Sequence, residues 1–317
     1  MKVSVGIDIG GTNTVWGLIN KQGQVQLEGR IRTRDYVEPS AFVAKLALDI
    51  KNAAKQTSDF ELIGIGIGAP NGNYFKGTIE YAPNLIWKGI IPLQKMFQAY
   101  FNLPIWVTND ANAAAIGEML FGVAQGMKDF VVVTLGTGLG SGFVVNGKLI
   151  YGHDGFAGEL GHTIVERNGR ICGCQRRGCL ETYASATGII RTAKERLAQY
   201  QGKSLLQEQA EISSKIIADC ANQGDALALE IFDYTAEQLG FSLANTVAIS
   251  SPEAIILFGG LANAGSLIID PTQRYMEQYM LHIFKNKVKL LGSTVPQHQA
   301  AILGAGALAW KNSTGAL

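Results

Sequence analysis

Residues 3–19 read VSVGIDIGGTNTVWGLI, in which a glycine-bearing turn separates two runs of apolar and β-branched residues. Such runs favour β-strands, and glycine permits the tight backbone of a turn. The stretch therefore predicts a strand that ends at Asp8, a glycine turn and a second strand. The turn consists of Gly10, Gly11, Thr12 and Asn13.

The same pattern returns in residues 130–145, which read FVVVTLGTGLGSGFVV and whose turn contains Gly136, Thr137 and Gly138. We expect its second strand at residues 143–145. The repetition suggests an internal duplication, with two lobes around a cleft. A dinucleotide fold or a P-loop would need a helix directly after the glycines, and a strand follows here instead.

A glycine hairpin can still bind phosphate through clustered backbone N–H groups. One such hairpin alone would be an ordinary tight turn, but two in matching positions indicate a nucleotide site. Asp8 is then a candidate ligand of hydrated Mg²⁺, because magnesium keeps much of its water and prefers carboxylate oxygens. The alternative role of Asp8 is to cap the end of its strand.

Residues 158–181 read GELGHTIVERNGRICGCQRRGCLE and hold most of the unusual side chains. His162, Cys172, Cys174 and Cys179 form a Cys3His set, which suits a closed structural zinc site. Glu159 and Glu181 bracket this set, so we expect them to contact a ligand rather than to be solvated surface charges. The arginines that follow Gln175 are expected to lie in a solvated loop rather than an anion site.

Asp110 is predicted to lie where a strand ends and an alanine-rich helix begins, a position that exposes catalytic groups in α/β proteins. Aspartate also caps helices well, but Asn112 could cap this helix instead. The positive end of the helix should lower the pKa of Asp110 and make it a weak base. Weakness is tolerable in phosphoryl transfer, whose transition state is loose.

The composition limits the class of protein. The chain has 317 residues, 47% of them hydrophobic, and a formal net charge of +1, which predicts about two globular domains and neither a nucleic acid nor a membrane surface as partner. Asp8 interrupts the N-terminal apolar run, so no signal peptide is predicted. We therefore expect a cytoplasmic protein with reduced thiols, which favours metal ligation over a disulfide.

The rest of the chain alternates strands with helices. Residues 69–89 are predicted to form a long loop, and Gly259 and Gly260 follow a short buried strand at 254–258. Further strands are expected at 25–33, 62–68, 105–107 and 288–291. Helices are expected at 40–55, from Pro92, up to Leu120, and at 187–199, 212–221, 225–249, 267–281 and 299–311.

These motifs together resemble those of the ROK family of sugar kinases, most closely its bacterial glucokinases, over nearly the whole chain. Residues 8–13 and 135–142 match the family's two phosphate motifs, residues 109–112 its catalytic motif, and residues 258–260 the turn beside adenosine. The most specific match is residues 158–162 with the three cysteines and Glu181. One departure is Gln175, where the family usually has glycine after the second cysteine.

The resemblance implies an α/β, actin-like ATPase (ribonuclease H-like) fold. Its smaller lobe would comprise residues 1–110 and 300–317, and its larger lobe, with the zinc-binding loop, residues 111–299. The resemblance also implies a homodimer or homotetramer that phosphorylates glucose in glycolysis with ATP, Mg²⁺ and structural Zn²⁺. Asp110 would be the general base. The hexose would contact Asn84, Asn109, Asp110, Glu159, His162 and Glu181.

Three alternatives stay open at this point. The sugar could instead be N-acetylmannosamine, N-acetylglucosamine, fructose or allose, because the shared contacts do not discriminate among them. The family also includes sugar-responsive repressors, which carry a DNA-binding domain before the first phosphate motif. Because that motif begins at Asp8 here, we expect the chain to be a kinase rather than such a repressor. The chain could also be a non-catalytic sugar-binding regulator.

Overall fold

The computed structural model describes residues 1–56 and 60–314, which form two compact units. The first unit comprises Met1–Met127, Gly142–Gly158 and Thr294–Leu317, and the second comprises Lys128–Ser141 and Glu159–Ser293. The lobe boundaries given above stay a prediction. Residues 57–59 and 315–317 of the predicted smaller lobe lie outside the described residues.

The first part of the chain contains eight strands and three helices among the described residues. In chain order they are β1 Lys2–Ile9, β2 Asn13–Ile19, β3 Val25–Arg32, α1 Pro39–Gln56, β4 Glu61–Gly68, β5 Gly72–Asn73, β6 Thr78–Glu80, β7 Ile90–Ile91, α2 Leu93–Gln98, β8 Ile105–Thr108 and α3 Asp110–Phe121.

The remainder continues with the second glycine hairpin and a mainly helical segment. Its elements are β9 Phe130–Leu135, β10 Leu139–Val145, β11 Lys148–Leu149, α4 Glu181–Ala184, α5 Ala186–Leu197, α6 Ser214–Asn222, α7 Ala226–Ser250, β12 Ala254–Phe258, α8 Ser266–Tyr279, β13 Lys289–Gly292 and α9 Gln297–Thr314.

The first five-stranded sheet has the order β3-β2-β1-β4-β8. Strands β1, β2 and β3 are antiparallel neighbours, whereas β4 runs parallel to β1 and β8 runs parallel to β4. Because parallel strands end at the same edge, the residues that follow β1, β4 and β8 lie close together. Asp8 pairs with Gly68, and Gly68 pairs with Thr108.

The second five-stranded sheet has the order β11-β10-β9-β12-β13, which repeats the order of the first. Its strand β12 is parallel to both β9 and β13. The internal repeat predicted from the two glycine hairpins is therefore confirmed at the level of sheet order. The second strand of this hairpin, β10, begins at Leu139 rather than at the predicted Phe143. The sequence did not indicate a strand at residues 139–142, because three of these four residues are glycine or serine.

The prediction of one long loop at residues 69–89 was wrong. Strands β5 and β6 lie within that range and pair with β7 in a small antiparallel sheet. Asn73 is buried in this sheet, where an apolar residue would be usual. Its polar atoms are satisfied, because its amide donates to the Asp154 carbonyl at 2.7 Å and its Oδ1 accepts from Phe75 N at 3.1 Å. Strands this short, with polar buried residues, produce no apolar periodicity in the sequence.

The core of the first unit depends on a close approach between α9 and the sheet. Gly17, Gly6 and Gly66 are register partners across β2, β1 and β4 and form a row without side chains. A Cβ atom at Gly66 would overlap the carbonyl oxygen of Ala305, and one at Gly6 would overlap that of Ile302. The glycine row therefore lets the helix backbone lie directly on the strands.

Within the described residues, none of the helices combines the length and the apolar character that a membrane span requires.

Replacing Gly66 with alanine should destabilise the protein by about 3 kcal/mol or more, because the added methyl group overlaps helix backbone that cannot move independently. Urea denaturation followed by circular dichroism measures the loss. The matched control is Gly292→Ala, whose Cβ would lie 3.4 Å from Ile269 Cδ1, an ordinary contact. Equal stability of the Gly66→Ala variant and the wild type would contradict this packing.

Candidate active site

Two aspartates lie at the carboxyl edge of the first sheet. Asp8 is near the end of β1, and Asp110 opens α3 two residues after the end of β8. Gly68 at the end of β4 lies beside both, because a Cβ atom there would be 3.7 Å from Asp8 Oδ1 and 3.8 Å from Asp110 Cα. The parallel pairing of β1, β4 and β8 thus brings the two carboxyl groups close together.

Burial changes the acidity of both groups. It raises the pKa of Asp8 to about 7, and the charge of Asp110 adds to this effect. The pKa of Asp110 is also raised by burial, against the opposing hydrogen bond that its Oδ1 accepts from Ala111 N at 2.8 Å. Solvent reaches the Asp110 side chain, but the surrounding protein removes much of its hydration. The predicted lowering of the Asp110 pKa was therefore wrong, because desolvation outweighs the helix end.

The N-cap of α3 is Asn109, whose Oδ1 accepts a hydrogen bond from Asn112 N at 2.7 Å. The sequence had left Asp110 and Asn112 as the candidates for this role. Asp110 therefore does not cap the helix. The residue that caps it is Asn109, and not Asn112 as the sequence suggested. Since the cap uses the oxygen of Asn109, the amide N–H groups of Asn109 are the donors that it can offer to a ligand.

The first glycine turn packs against the loop that carries Asn84. Gly10 N donates to Asn13 O at 3.0 Å, and Thr33 N donates to Thr12 O at 2.9 Å. A Cβ atom at Gly11 would overlap the carbonyl oxygen of Asn84. The structure therefore brings Asn84, whose side chain is exposed, next to the predicted phosphate turn.

The second glycine turn is held from two sides within the second unit. Glu181 Oε2 accepts a hydrogen bond from Leu139 N at 3.0 Å, and Thr187 Oγ1 donates to Thr137 O at 2.8 Å. The turn itself is closed by Gly136 N, which donates to Gly138 O at 3.0 Å. Thr187 was not predicted from the sequence, which offers no signal for a contact between residues so far apart.

Gly259 and Gly260 lie beside this second turn, because β12 is the parallel neighbour of β9. Gly259 has a φ of 106°, a left-handed conformation that favours glycine. Leu261 N donates to Leu135 O at 3.1 Å and fixes the segment against the end of β9. The predicted adenosine turn and the predicted phosphate turn are therefore neighbours.

The four predicted metal ligands come together. One donor atom from each of His162, Cys172, Cys174 and Cys179 lies within 4.8 Å of the others. Cys172 Sγ is 3.7 Å from His162 Nδ1, and Cys174 Sγ is 3.6 Å from Cys179 Sγ. Ligands bound tetrahedrally to zinc at roughly 2.3 Å would lie about 3.8 Å apart. The donor set and its spacing therefore fit a zinc ion.

The Cys174 thiol of this set ionises more readily than an ordinary cysteine thiol. Cys174 is exposed, and although the surrounding protein removes some of its hydration, hydrogen bonds from the backbone and side chain of Arg176 and from the Cys172 and Cys179 thiols lower its pKa to about 6. The thiolate is the form that binds metals. The Arg176 guanidinium is held in place because it donates to the His162 carbonyl at 2.8 Å.

The hairpin that carries Cys172 and Cys174 contains the departure from the family pattern. Cys172 N donates to Arg176 O and Gln175 N donates to Cys172 O, both at 2.9 Å, which makes a three-residue loop. The last residue of such a loop takes the left-handed conformation. Gln175 has a φ of 70°, so a non-glycine residue occupies it at a cost of about 1–2 kcal/mol.

The sugar-binding candidates of the second unit lie within the metal set or next to residues of it. Glu159 is exposed and begins the short 3₁₀ turn Leu160–His162, and its carbonyl accepts from His162 N at 3.1 Å. Leu160 N donates to Ser141 Oγ at 3.3 Å, which places the turn against β10. Glu181 Oε1 lies 3.6 Å from Cys172 Sγ, so Glu181 links the glycine turn to the metal set.

The predicted site residues thus form two groups. The first unit holds Asp8, the turn at residues 10–13, Asn84, Asn109 and Asp110, and the second holds the remaining residues. Gly68 was missed, although its place at the end of a buried strand is a signal that could have identified it.

The chain is similar to known sugar kinases over nearly its whole length. The model of the ROK family matches residues 4–312. A glucokinase of Halalkalibacterium halodurans is 36% identical over 284 residues, which cover 87% of this chain and 86% of the relative.

Solved structures give the same result. A ROK family glucokinase from Streptomyces griseus, solved in complex with glucose and AMPPNP, superposes with a TM-score of 0.81 at 32% identity, covering 98% of this chain and 99% of that one. A ROK hexokinase from Thermus thermophilus superposes with a TM-score of 0.81 at 25% identity and 99% coverage of both chains. The predicted α/β, actin-like ATPase fold is confirmed.

Replacing Gln175 with glycine should stabilise the zinc-loaded protein by about 0.5–1.5 kcal/mol, because glycine adopts a positive φ without steric cost. Thermal unfolding at matched zinc content measures the change. Gly173→Ala in the same hairpin is the control, since its Cβ would meet no atom within 4 Å. A Gln175→Gly variant less stable than the wild type would refute the strain.

Replacing Asp8 with asparagine should raise stability at pH 8 by roughly 2–4 kcal/mol in buffer without Mg²⁺. The folded pKa of about 7 exceeds the ordinary 3.8, so the folded protein loses stability as the pH rises between these values. Asparagine carries no charge to desolvate, and the gain should therefore shrink towards pH 4.

Thermal unfolding across this pH range checks the expectation. Asp35→Asn, which removes an exposed carboxylate, is the control. A stability difference between Asp8→Asn and the wild type that does not change with pH would contradict it.

Proposed function

The chain belongs to the ROK family, and we propose that it transfers the γ-phosphoryl group of ATP to the 6-hydroxyl of a hexose, with glucose as the preferred sugar. Support comes from its similarity to the Halalkalibacterium halodurans glucokinase and to the Streptomyces griseus glucokinase solved with glucose and AMPPNP. The observation that carries the proposal is the placement of Asp110 at the carboxyl edge of three parallel strands.

Asp110 is the proposed general base. Its raised pKa makes the ionised carboxylate a better proton acceptor than an ordinary aspartate, so it can take the proton of the sugar hydroxyl as the bond to phosphorus forms. The hydrogen bond from Ala111 N orients one carboxylate oxygen and leaves the other for the substrate. Solvent exposure of the side chain means that a substrate can reach it.

Asp8 is the proposed Mg²⁺ contact, through water. Its carboxylate is a hard oxygen donor, and its raised pKa shows that the site disfavours an uncompensated negative charge. A divalent cation would supply that compensation and would neutralise charge on the transferring phosphoryl group. The residues present therefore fit the ion.

The hexose contacts follow the family resemblance. We propose that Asn84, Asn109 and Asp110 of the first unit and Glu159, His162 and Glu181 of the second hydrogen-bond the sugar hydroxyl groups. His162 directs Nδ1 towards Cys172, which leaves Nε2 for the sugar. Asn109 offers its amide N–H groups, since its oxygen caps α3.

The glycine turns are the proposed phosphate contacts. Residues 10–13 and 136–138 present backbone N–H groups without bulky side chains, and this arrangement suits an anion. Gly259 and Gly260 are proposed to lie beside adenosine. Thr187 and Glu181 hold the second turn in place through their hydrogen bonds to Thr137 and Leu139.

Zinc is proposed as a structural ion held by His162, Cys172, Cys174 and Cys179. When bound, it supplies a fixed crosslink of the loop and no reaction chemistry. The residues around it then keep Glu181 and His162 in position. A homodimer or homotetramer, a role in glycolysis and a cytoplasmic location complete the proposal.

Replacing Asp110 with asparagine should lower kcat by at least roughly 10²–10⁴-fold, because asparagine cannot accept the proton. Glucose binding, measured by isothermal titration calorimetry, should persist, since the amide keeps the shape of the side chain. Asp35→Asn is the control for loss of an exposed carboxylate. Turnover of Asp110→Asn close to that of the wild type would exclude the role of general base.

A coupled assay of ADP release against a panel of sugars tests the activity and its substrate. Glucose should give the highest kcat/KM among glucose, fructose, allose, N-acetylglucosamine and N-acetylmannosamine. A higher value with another sugar would replace glucose but retain the kinase. Absence of ADP release with every sugar, while sugar binding persists, would establish the non-catalytic regulator instead.

A further inference from the structure

The second unit contains a surface cavity of about 460 Å³ whose lining includes none of the site residues described above. Its volume is in the usual range of small-molecule sites, about 300–1,000 Å³. The charged and aromatic residues that line it are Arg170, Arg177, Tyr183, Arg191, Glu195 and Tyr234.

The charges of this lining do not balance. Arg170 Nη2 lies 2.5 Å from Glu195 Oε2, and Arg191 Nε lies 2.9 Å from Glu195 Oε1, so two arginines share one carboxylate. Three guanidinium groups and one carboxylate leave an excess of positive charge. Glu166, which packs beside Gly169 on the rim, offsets part of this excess but does not remove it.

Arg170 is a nearly buried residue of the cavity lining, and several contacts hold its side chain in place. Its side chain is 9% exposed, it donates to Thr182 O at 2.7 Å and Thr192 Oγ1 at 2.9 Å, and it lies over the Tyr183 ring at 4.5 Å. These contacts occupy its donors, so Arg170 contributes its charge rather than free N–H groups.

Arg177 and Arg191 are the available donors. Each is exposed and makes a long hydrogen bond to a lining carbonyl, from Arg177 to Gly169 O and from Arg191 to Ile171 O, both at 3.4 Å. A guanidinium carries five N–H donors in a fixed fork that matches the oxygens of a phosphate. Both residues therefore have unused donors beside the cavity.

Tyr234 adds an apolar wall to the cationic rim. Its ring is partly buried, packs edge to face against Tyr183 at 6.5 Å, and lies 5.2 Å from the Arg196 guanidinium, which is itself paired with Glu230. A bare inorganic anion would leave this ring surface and most of the volume unused. A phosphate attached to a small organic group uses both.

We propose that this cavity is a second ligand site that binds a small phosphate monoester, with Arg177 and Arg191 on the phosphate and Tyr234 against the organic part. A doubly charged phosphate matches two exposed guanidinium groups that keep unused N–H donors, although Arg191 also pairs with Glu195 through its Nε. Arg177 is exposed, as expected for a solvated loop, and the proposal adds a phosphate contact that the sequence did not predict. Because Ile171 and Arg177 belong to the hairpin that carries Cys172 and Cys174, binding also restrains that hairpin.

Calorimetric titration of inorganic phosphate and of glucose 6-phosphate into the zinc-loaded protein tests the site. Saturating glucose and ADP are kept present, so that the proposed active site does not contribute. Arg191→Gln should weaken binding about tenfold, and the double variant Arg177→Gln/Arg191→Gln about a hundredfold, because each removes a charge-assisted contact. Arg191→Lys keeps the charge but not the fork and should give an intermediate loss.

Two further variants test whether the position of the charge and the organic part of the ligand matter. Arg30→Gln removes an equal, exposed charge from β3 and should bind within twofold of the wild type. Tyr234→Ala should weaken glucose 6-phosphate severalfold while leaving inorganic phosphate unchanged, which distinguishes a monoester from the free ion. Thermal unfolding of each variant verifies that it is folded.

The proposal fails if the wild type binds neither anion at millimolar concentration, if the double variant binds as the wild type does, or if Arg30→Gln weakens binding equally. Equal affinity of Tyr234→Ala and the wild type for glucose 6-phosphate would overturn the monoester assignment. The outcome does not depend on the proposed kinase activity, because binding rather than turnover is measured.

Discussion

The parallel register of β1, β4 and β8 is the constraint on which the chemistry of the first unit depends. It aligns Asp8, Gly68 and Thr108 at one edge, and α3 begins immediately beyond them with Asn109 as its cap. A slip of one residue in β1 would turn Asp8 to the opposite face of the sheet. The glycine row beneath α9 fixes this register, because only there can the helix backbone lie on the strands.

The second sheet repeats the strand order of the first beside a different kind of site. The first sheet ends beside two carboxylates of raised pKa. In the second sheet, β9 and β10 are joined by a glycine turn with backbone N–H groups, and the Cys3His set lies in the segment that precedes α4. Glu181 links the glycine turn to the Cys3His set, since one of its carboxylate oxygens accepts a hydrogen bond from Leu139 N and the other lies near Cys172 Sγ. The Glu181 side chain therefore contacts both the glycine turn and the loop of the proposed zinc ligands.

Local patterns in the sequence predict the hairpins, the long helices and the metal ligands, because glycine turns, periodicity and cysteine spacing are local features. They do not predict β5 and β6, whose buried anchor is the polar Asn73. They also give the wrong direction for the Asp110 pKa, because desolvation arises from residues distant in sequence. The cavity between Arg177 and Arg191 likewise cannot be predicted from local patterns, since it depends on how the loop that carries Arg177 packs against α5.

Gln175 shows how such a loop tolerates a local cost. The left-handed backbone there costs about 1–2 kcal/mol, whereas a structural zinc ion contributes roughly 10–16 kcal/mol in small zinc peptides. The hairpin is therefore determined by the convergence of the thiols and His162 rather than by the preference of its turn residue. Arg176, fixed by the same turn, donates to the His162 carbonyl and lowers the Cys174 pKa. The strained residue thus belongs to a loop whose other contacts favour the thiolate that the proposed zinc ion requires.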